Sequence, residues 1–339
     1  MHRHLAARGF AAALAVVSLS TAASAQGEVN LYTTREPGLI QPLLDAFTKD
    51  TKIKVNTIFI KDGLAERVKT EGANSPADMM MTVDIGNLLD TVDQGVTQAV
   101  QSEALSSAIP AHLRDKDGHW FALSLRARLI YASKERVKDT KMTYESLSDP
   151  KWKGKICIRS GQHMYNNALF AAYIAKHGQA KAEEWLKGVK ANLAQKPSGG
   201  DREQARDVAA GKCDLGIGNT YYWALMTQNP AQKPWADATR VVLPVFEGGG
   251  THVNLSGVVL ARHAPNKANA MKLIEWLAGD EAQHLYADSV YEYPLVASVA
   301  VNPIVASYGS LKPDDVPLST IGNNKKLASE LVDKVGFDN

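Results

Sequence analysis

The chain has 339 residues, of which 45 % are hydrophobic and 22 % charged. That balance can bury a core and excludes an intrinsically disordered chain. With 38 basic residues against 36 acidic ones, it lacks the basic excess that neutralises nucleic-acid phosphates, so no nucleic-acid partner is expected.

Residues Met1–Ala25 follow the plan of a secretory signal. Arg3 and Arg8 give a positive start, and Phe10–Leu19 is an apolar run too short to span a bilayer. Ala23-Ser24-Ala25 is a small-x-small cleavage pattern. Cleavage near Ala25 is expected to remove two basic residues and leave 36 of each sign. No later stretch reaches membrane-spanning length and no cysteine follows a lipobox, so the expectation is a soluble, exported protein.

Val29–Thr33 reads as a strand, after which Leu39, Ile40, Leu43, Leu44 and Phe47 recur at helical spacing. Ile53–Ile60 is a β-branched strand, Leu64–Glu71 a helix and Ala77–Val83 another strand. This β-α-β-α-β order predicts a parallel sheet with helices on both faces. His119–Leu125 and Arg128–Ser133 read as two extended segments, and Lys155–Ser160 as a strand. A helical run follows over Asn167–Lys176, then an amphipathic segment over Ala182–Leu193 and a short helix over Glu203–Ala210. Cys213–Asn219 is a strand and Tyr222–Gln228 a helix. Arg240–Phe246 and Ser256–Arg262 are two further strands, and Ala268, Met271, Ile274 and Leu277 mark a helix over Asn266–Ala278.

The order fits an α/β chain of two lobes joined by crossing strands near Ala122–Tyr131 and Val245–Asn254. The expected lobes are residues 26–124 with 253–300, and 125–252 with 301–339. Ligands of such folds bind beyond the carboxyl ends of strands, in the crevice between lobes. Cys157 and Cys213 are the only cysteines. Both lie beside strand-like runs that can be neighbours in one sheet, and a disulfide and two buried thiols both stay open. Without matching histidines they make no zinc site.

The segments that follow the strands carry the chemistry. Tyr221 and Tyr222 follow Cys213–Asn219, and Tyr165 lies in Gly161–Asn167 after Lys155–Ser160. Thr33-Thr34-Arg35-Glu36-Pro37 follows the first strand and Asp84 the third. A phenol has a pKa of about 10 and ionises at neutral pH only beside a strong positive charge, which a bound hard cation supplies. Three phenolates balance one Fe(III) in formal charge, whereas Ca(II) and Mg(II) favour carboxylates and carbonyls and Zn(II) favours His or Cys. The tyrosine pair also fits ordinary packing with a hydroxyl at the surface.

Several segments carry a resemblance to the bacterial ferric-ion-binding proteins of ABC iron-uptake systems. They are Asn30–Pro37, Ser75-Pro76-Ala77-Asp78, Leu123–Arg128, Asp149–Gly154, Ile158-Arg159-Ser160, Asn219-Thr220-Tyr221-Tyr222 and Tyr291-Glu292-Tyr293-Pro294. The family lies within the two-lobed periplasmic solute-binding proteins. The resemblance implies a type II periplasmic binding fold hinged by crossing strands, Fe(III) as cargo, an ABC permease as partner and a monomer without catalysis. It also implies iron ligation by Tyr221 and Tyr222. One branch adds a histidine after the first strand and a glutamate after the third. Here Thr34-Arg35-Glu36 and Val83-Asp84 stand at those places. A second branch takes a third tyrosine, which carries over to Tyr165. Some of its members add a His-Tyr pair where this chain has Glu36-Pro37.

Three tyrosines leave positions open on an ion that prefers about six donors, for water or a bidentate anion such as carbonate. Arginine suits such an anion, and Arg35 and Arg126 are the candidates. Each is equally open to a lobe-closing salt bridge, for example with Glu36 or Asp84, which are candidates for supporting the site. Arg128 reads as structural, His163 and His252 as weaker ligand candidates and Tyr32 as core. Two other readings stay open. One is the same fold holding a small organic anion or a polyamine. The other is a two-lobed transferase, although no Gly-x-Ser-x-Gly, P-loop or Gly-x-Gly-x-x-Gly follows a strand.

Overall fold

The computed structural model describes residues 27–339, so the expected signal and its cleavage site lie outside the described residues. Strand β1 (Glu28–Thr33) leads into α1 (Pro37–Thr51), which starts on a proline whose fixed φ suits the first turn and buries Ile40, Leu43, Leu44 and Phe47. Then come β2 (Lys54–Phe59), α2 (Leu64–Glu71), β3 (Met79–Thr82), α3 (Ile85–Asp93), β4 (Thr97–Gln98) and α4 (Glu103–Ala108). β1 lies parallel between β2 and β3, the arrangement that the alternating strand and helix patterns imply.

The middle of the chain contributes β5 (Phe121–Ser133), β6 (Ile156–Cys157), α5 (Met164–His177), α6 (Gln179–Ala191), α7 (Asp201–Ala209) and β7 (Leu215–Asn219). It continues with α8 (Thr220–Gln228), α9 (Lys233–Asp237), β8 (Thr239–Val242) and β9 (Val253–Ala261). The last elements are α10 (Lys267–Ala278), α11 (Asp280–Asp288), α12 (Pro303–Ala306), α13 (Leu318–Asn323) and α14 (Lys325–Lys334). Strand order is β2-β1-β3-β9-β5-β7-β6, with β4 on β9 and β8 on β5.

β5 is one 13-residue strand, where the sequence suggests two extended pieces. Arg126 and Arg128 look like an interruption, yet both side chains are buried and the pairing runs through them. Its sheet partner changes between them. Residues from Phe121 to Ala127 pair with β9, and Arg128 to Ala132 pair with β7. Gly218 on β7 makes this contact possible, because a Cβ there would stand 2.3 Å from the Tyr131 ring. Cys157 on β6 and Cys213, just before β7, are joined in a disulfide with Cα atoms 5.8 Å apart. α13 packs against both α3 and α5, and α14 lies on α5.

Candidate metal centre

β7 ends at Asn219 and α8 starts at the next residue, so Tyr221 and Tyr222 occupy the first turn of α8. Tyr165 occupies the first turn of α5, whose N-cap residue His163 accepts the Tyr165 amide N–H on Nδ1 at 3.3 Å. The fold brings the three phenols together. The Tyr165 and Tyr221 hydroxyls are 3.1 Å apart, and the Tyr221 and Tyr222 ring centroids are 4.2 Å apart. Val83 is buried with them, and Leu39, Met164, Leu225 and Tyr291 pack around the cluster. The tyrosines border a pocket of about 150 Å³ also lined by Thr34, Arg35 and Glu36 of the connection between β1 and α1. A chamber of about 830 Å³ adjoins it, sharing Thr34, Lys61, His163 and Met164. Among the described residues no group of three His, Cys, Asp or Glu is placed to hold a metal ion.

Burial pushes the Tyr221 and Tyr222 phenols well above their ordinary pKa. The neighbouring phenols add to this, and Arg126 opposes it at Tyr221. Both are therefore protonated in the metal-free site at neutral pH, and only a cation reverses that preference. Positive charge is already close. The guanidinium carbons of Arg126, Arg128 and Arg159 lie 5.5, 5.8 and 5.2 Å from the Tyr165 ring centroid. Asp201 takes Arg128 at 2.5 Å and Arg159 at 3.1 Å. Its burial would raise the carboxyl, and the two arginines outweigh that and hold it below the usual range.

Arg126 has no carboxylate partner among the described residues. Its Nη1 donates to Ser256 Oγ at 3.3 Å, and its buried Nη2 has no acceptor. Arg35 forms a buried ion pair, and the partner is Glu292 at 3.1 Å, neither Glu36 nor Asp84. The chain turns through Tyr291, the residue before Glu292, in a left-handed conformation (φ 61°). Arg35 Nη1 also donates to Ser256 Oγ at 2.7 Å, leaving Nε and Nη2 without acceptors.

Glu36 accepts the Tyr222 hydroxyl at 3.4 Å and lies 3.9 Å from Arg202, whose guanidinium covers the Tyr222 ring at 4.5 Å. Asp84 stands apart from the phenols. It caps α3 through the Asn87 N–H at 3.0 Å and accepts from Asn254 Nδ2 at 2.7 Å. His163 borders the pocket, and burial together with Arg159 lowers it to about 3. With Nδ1 accepting, the neutral ring carries its proton on Nε2. His252 is buried beside a cavity of about 10 Å³ under Tyr165, with Nδ1 unpartnered. Tyr32 is core and donates to Glu71 at 3.1 Å.

Sequence reasoning does not single out Arg159, Asp201, Arg202 or Glu292 as members of this site. Arg159 and Glu292 lie in quoted motifs, and a buried arginine demands an anion. The available signal was therefore a search for carboxylates facing Arg35 and Arg128.

The model of bacterial extracellular solute-binding proteins matches residues 74–312. Iron uptake protein A1 of Synechocystis is 43 % identical over 316 residues, covering 92 % of this chain and 88 % of that one. The structure of the Bordetella ferric binding protein has 59 % identity and a TM-score of 0.83, covering 92 % of this chain and all of that one. The apo ferric ion-binding protein A of Pasteurella haemolytica has 48 % identity and a TM-score of 0.90, covering 92 % and 99 %. The chain shares their two-lobed type II periplasmic binding fold, with β5 crossing between the lobes. It belongs to the family of bacterial extracellular solute-binding proteins.

Proposed function

We propose that this protein captures ferric iron with the phenolates of Tyr165, Tyr221 and Tyr222 and delivers it to an ABC permease in the inner membrane. The observation that carries the reading is the 3.1 Å contact between the Tyr165 and Tyr221 hydroxyls, with the Tyr222 ring alongside. Among the described residues no group of three His, Cys, Asp or Glu is placed to compete with it. Relatives named for iron uptake and ferric iron binding support the same cargo and a binding role without catalysis.

The phenols lose their protons to solvent as the trivalent ion arrives. Arg126 Nη2 and Arg35 Nε and Nη2 are buried donors without acceptors; Arg35 lines the phenol pocket, and the Arg126 guanidinium lies 5.5 Å from the Tyr165 ring. They suit a planar anion such as carbonate in the remaining positions on the ion. Glu36 holds the Tyr222 hydroxyl from across the cleft. Residues 26–124 with 253–300 form one lobe and 125–252 with 301–339 the other, closing by hinge motion over the ion. The chain works as a monomer in the periplasm after cleavage near Ala25.

Ferric tyrosinate absorbs visible light, so the protein mixed with ferric citrate should turn red or orange. Tyr221→Phe and Tyr222→Phe should each bleach the colour, and Tyr165→Phe should shift and weaken it. A wild-type protein that stays colourless, with no gain in thermal stability from iron, refutes the proposal. The unspent arginine donors favour a small organic anion as the second reading, and that protein would be stabilised by the anion alone and stay colourless.

A further inference from the structure

The loop that carries Tyr165 is clamped by a segment far downstream. Ser160 Oγ donates to Asp338 Oδ2 at 2.5 Å, the Gly161 N–H to Oδ1 at 2.7 Å and the Gln162 N–H to Oδ2 at 3.4 Å. Three donors from consecutive residues converge on one carboxylate, a group that only accepts when ionised. The Gln162 amide donates to Asp333 at 2.7 Å and to the Ser329 carbonyl at 3.1 Å, and Ser329 Oγ returns a bond at 2.6 Å. Gly161 lies flat on this segment, where a Cβ would stand 2.9 Å from the Phe337 ring and 3.1 Å from Val332.

The turn from Ser160 to Gln162 is therefore held from outside, by residues that touch no part of the phenol pocket except through it. His163 follows at once as the cap of α5, and Tyr165 is the second residue of that helix. The place of the Tyr165 hydroxyl depends on where this helix begins. Asn166 ties the same turn from its inner side, donating to the Arg159 and Ser160 carbonyls at 2.9 and 3.1 Å. Tolerances at a metal centre are tight, since groups behind the ligands commonly change metal affinity by tenfold or more.

We infer that Asp338 is a positioning residue of the metal centre, its carboxylate setting the Ser160–Gln162 turn and through it the Tyr165 hydroxyl. This rests on Tyr165 as an iron ligand. The test is a double-mutant cycle on the iron-loaded protein, read by competition with a chelator and by the visible band. Asp338→Ala should weaken iron binding by about ten- to hundredfold and move the band toward that of Tyr165→Phe. Added to Tyr165→Phe, it should change neither further. Asp338→Asn, which keeps one accepting oxygen, should fall between.

An unshifted band in Asp338→Ala, or an equal loss of affinity with and without the Tyr165 hydroxyl, overturns the inference. Should Asp338→Ala fail to fold, Ser160→Ala and Asp338→Asn carry the test, and unshifted bands in both overturn it. A wild-type protein without a band defeats the Tyr165 reading itself. A wild-type band that Tyr165→Phe alters and Asp338→Ala leaves alone defeats only the role given to Asp338.

Discussion

The hydroxyls of Tyr165 and Tyr221 stand 3.1 Å apart although 56 residues separate them in sequence. Each sits in the first turn of a helix that follows a strand, and those two strands, β6 and β7, are parallel neighbours. The pairing of two phenols thus follows from the pairing of two strands. Whatever loosens β6 from β7 loosens the phenol cluster.

The first prediction concerns protons. Burial holds Tyr221 and Tyr222 in their protonated forms, and an iron-bound phenolate has lost its proton. Iron binding should release at least about two protons, and affinity should fall as pH falls, by about tenfold per pH unit for each proton released. Titrating unbuffered protein with ferric citrate, against a citrate control, counts them. Fewer than one proton per iron would contradict phenolate ligation.

The second concerns the Arg35–Glu292 pair, which is almost fully buried. Glu292→Ala strands a buried guanidinium and should cost about 3–5 kcal/mol of folding stability. Replacing both partners together, Arg35→Met with Glu292→Leu, should recover most of that loss. Denaturant unfolding of the single and double variants checks it.

A third prediction follows from the disulfide, which closes a loop of 56 residues. The chain-entropy relation gives about 4 kcal/mol for a loop of that length. Reduction, or Cys157→Ala with Cys213→Ala, should lower the unfolding midpoint accordingly. Iron should restore part of the loss if the proposed site captures it, since a ligand that favours the folded form stabilises it.

Acid sensitivity gives the fourth. His252 is lowered to about 3 by burial, with Arg128 and Arg126 adding repulsion. The unfolded chain takes up that proton near pH 6.5, so between about pH 6.5 and 3 the unfolded state binds one that the folded state refuses. Stability should therefore fall as pH drops below about 6.5, by about 2 kcal/mol at pH 5 from His252 alone. His163, also lowered to about 3, adds a second share. His252→Asn should flatten the decline by about half in denaturant unfolding at pH 7 and pH 5.

The tyrosine pair was legible in the sequence because strand and helix patterns meet beside it, and a junction in an α/β fold faces the crevice. The disulfide was legible only as a choice, since two cysteines beside strands fix neither register nor distance. β5 was obscured because a strand covered on both faces loses its alternation, and the charges of Arg126 and Arg128 imitate a loop. Glu292 escaped because its partner lies 257 positions away. Asp338 acts on a loop 178 positions earlier, a distance over which local pattern carries no information. The helix α3 escaped as well, with Asp84 assigned to the support of the site, although Asp84 as a cap followed by Ile85, Leu88, Leu89 and Val92 at helical spacing is a local helix signal.

The changeover within β5 falls between Ala127 and Arg128, and it separates Arg126 from Arg128. One guanidinium bonds to Ser256 on β9 and the other to Asn219 on β7. Any swivel at that joint alters how much positive charge stands under the Tyr165 ring. Under the proposed capture of iron by Tyr165, Tyr221 and Tyr222, a hinge at this joint would also act as a rheostat for phenolate stability, and opening the cleft would loosen the ion before anything external touched it.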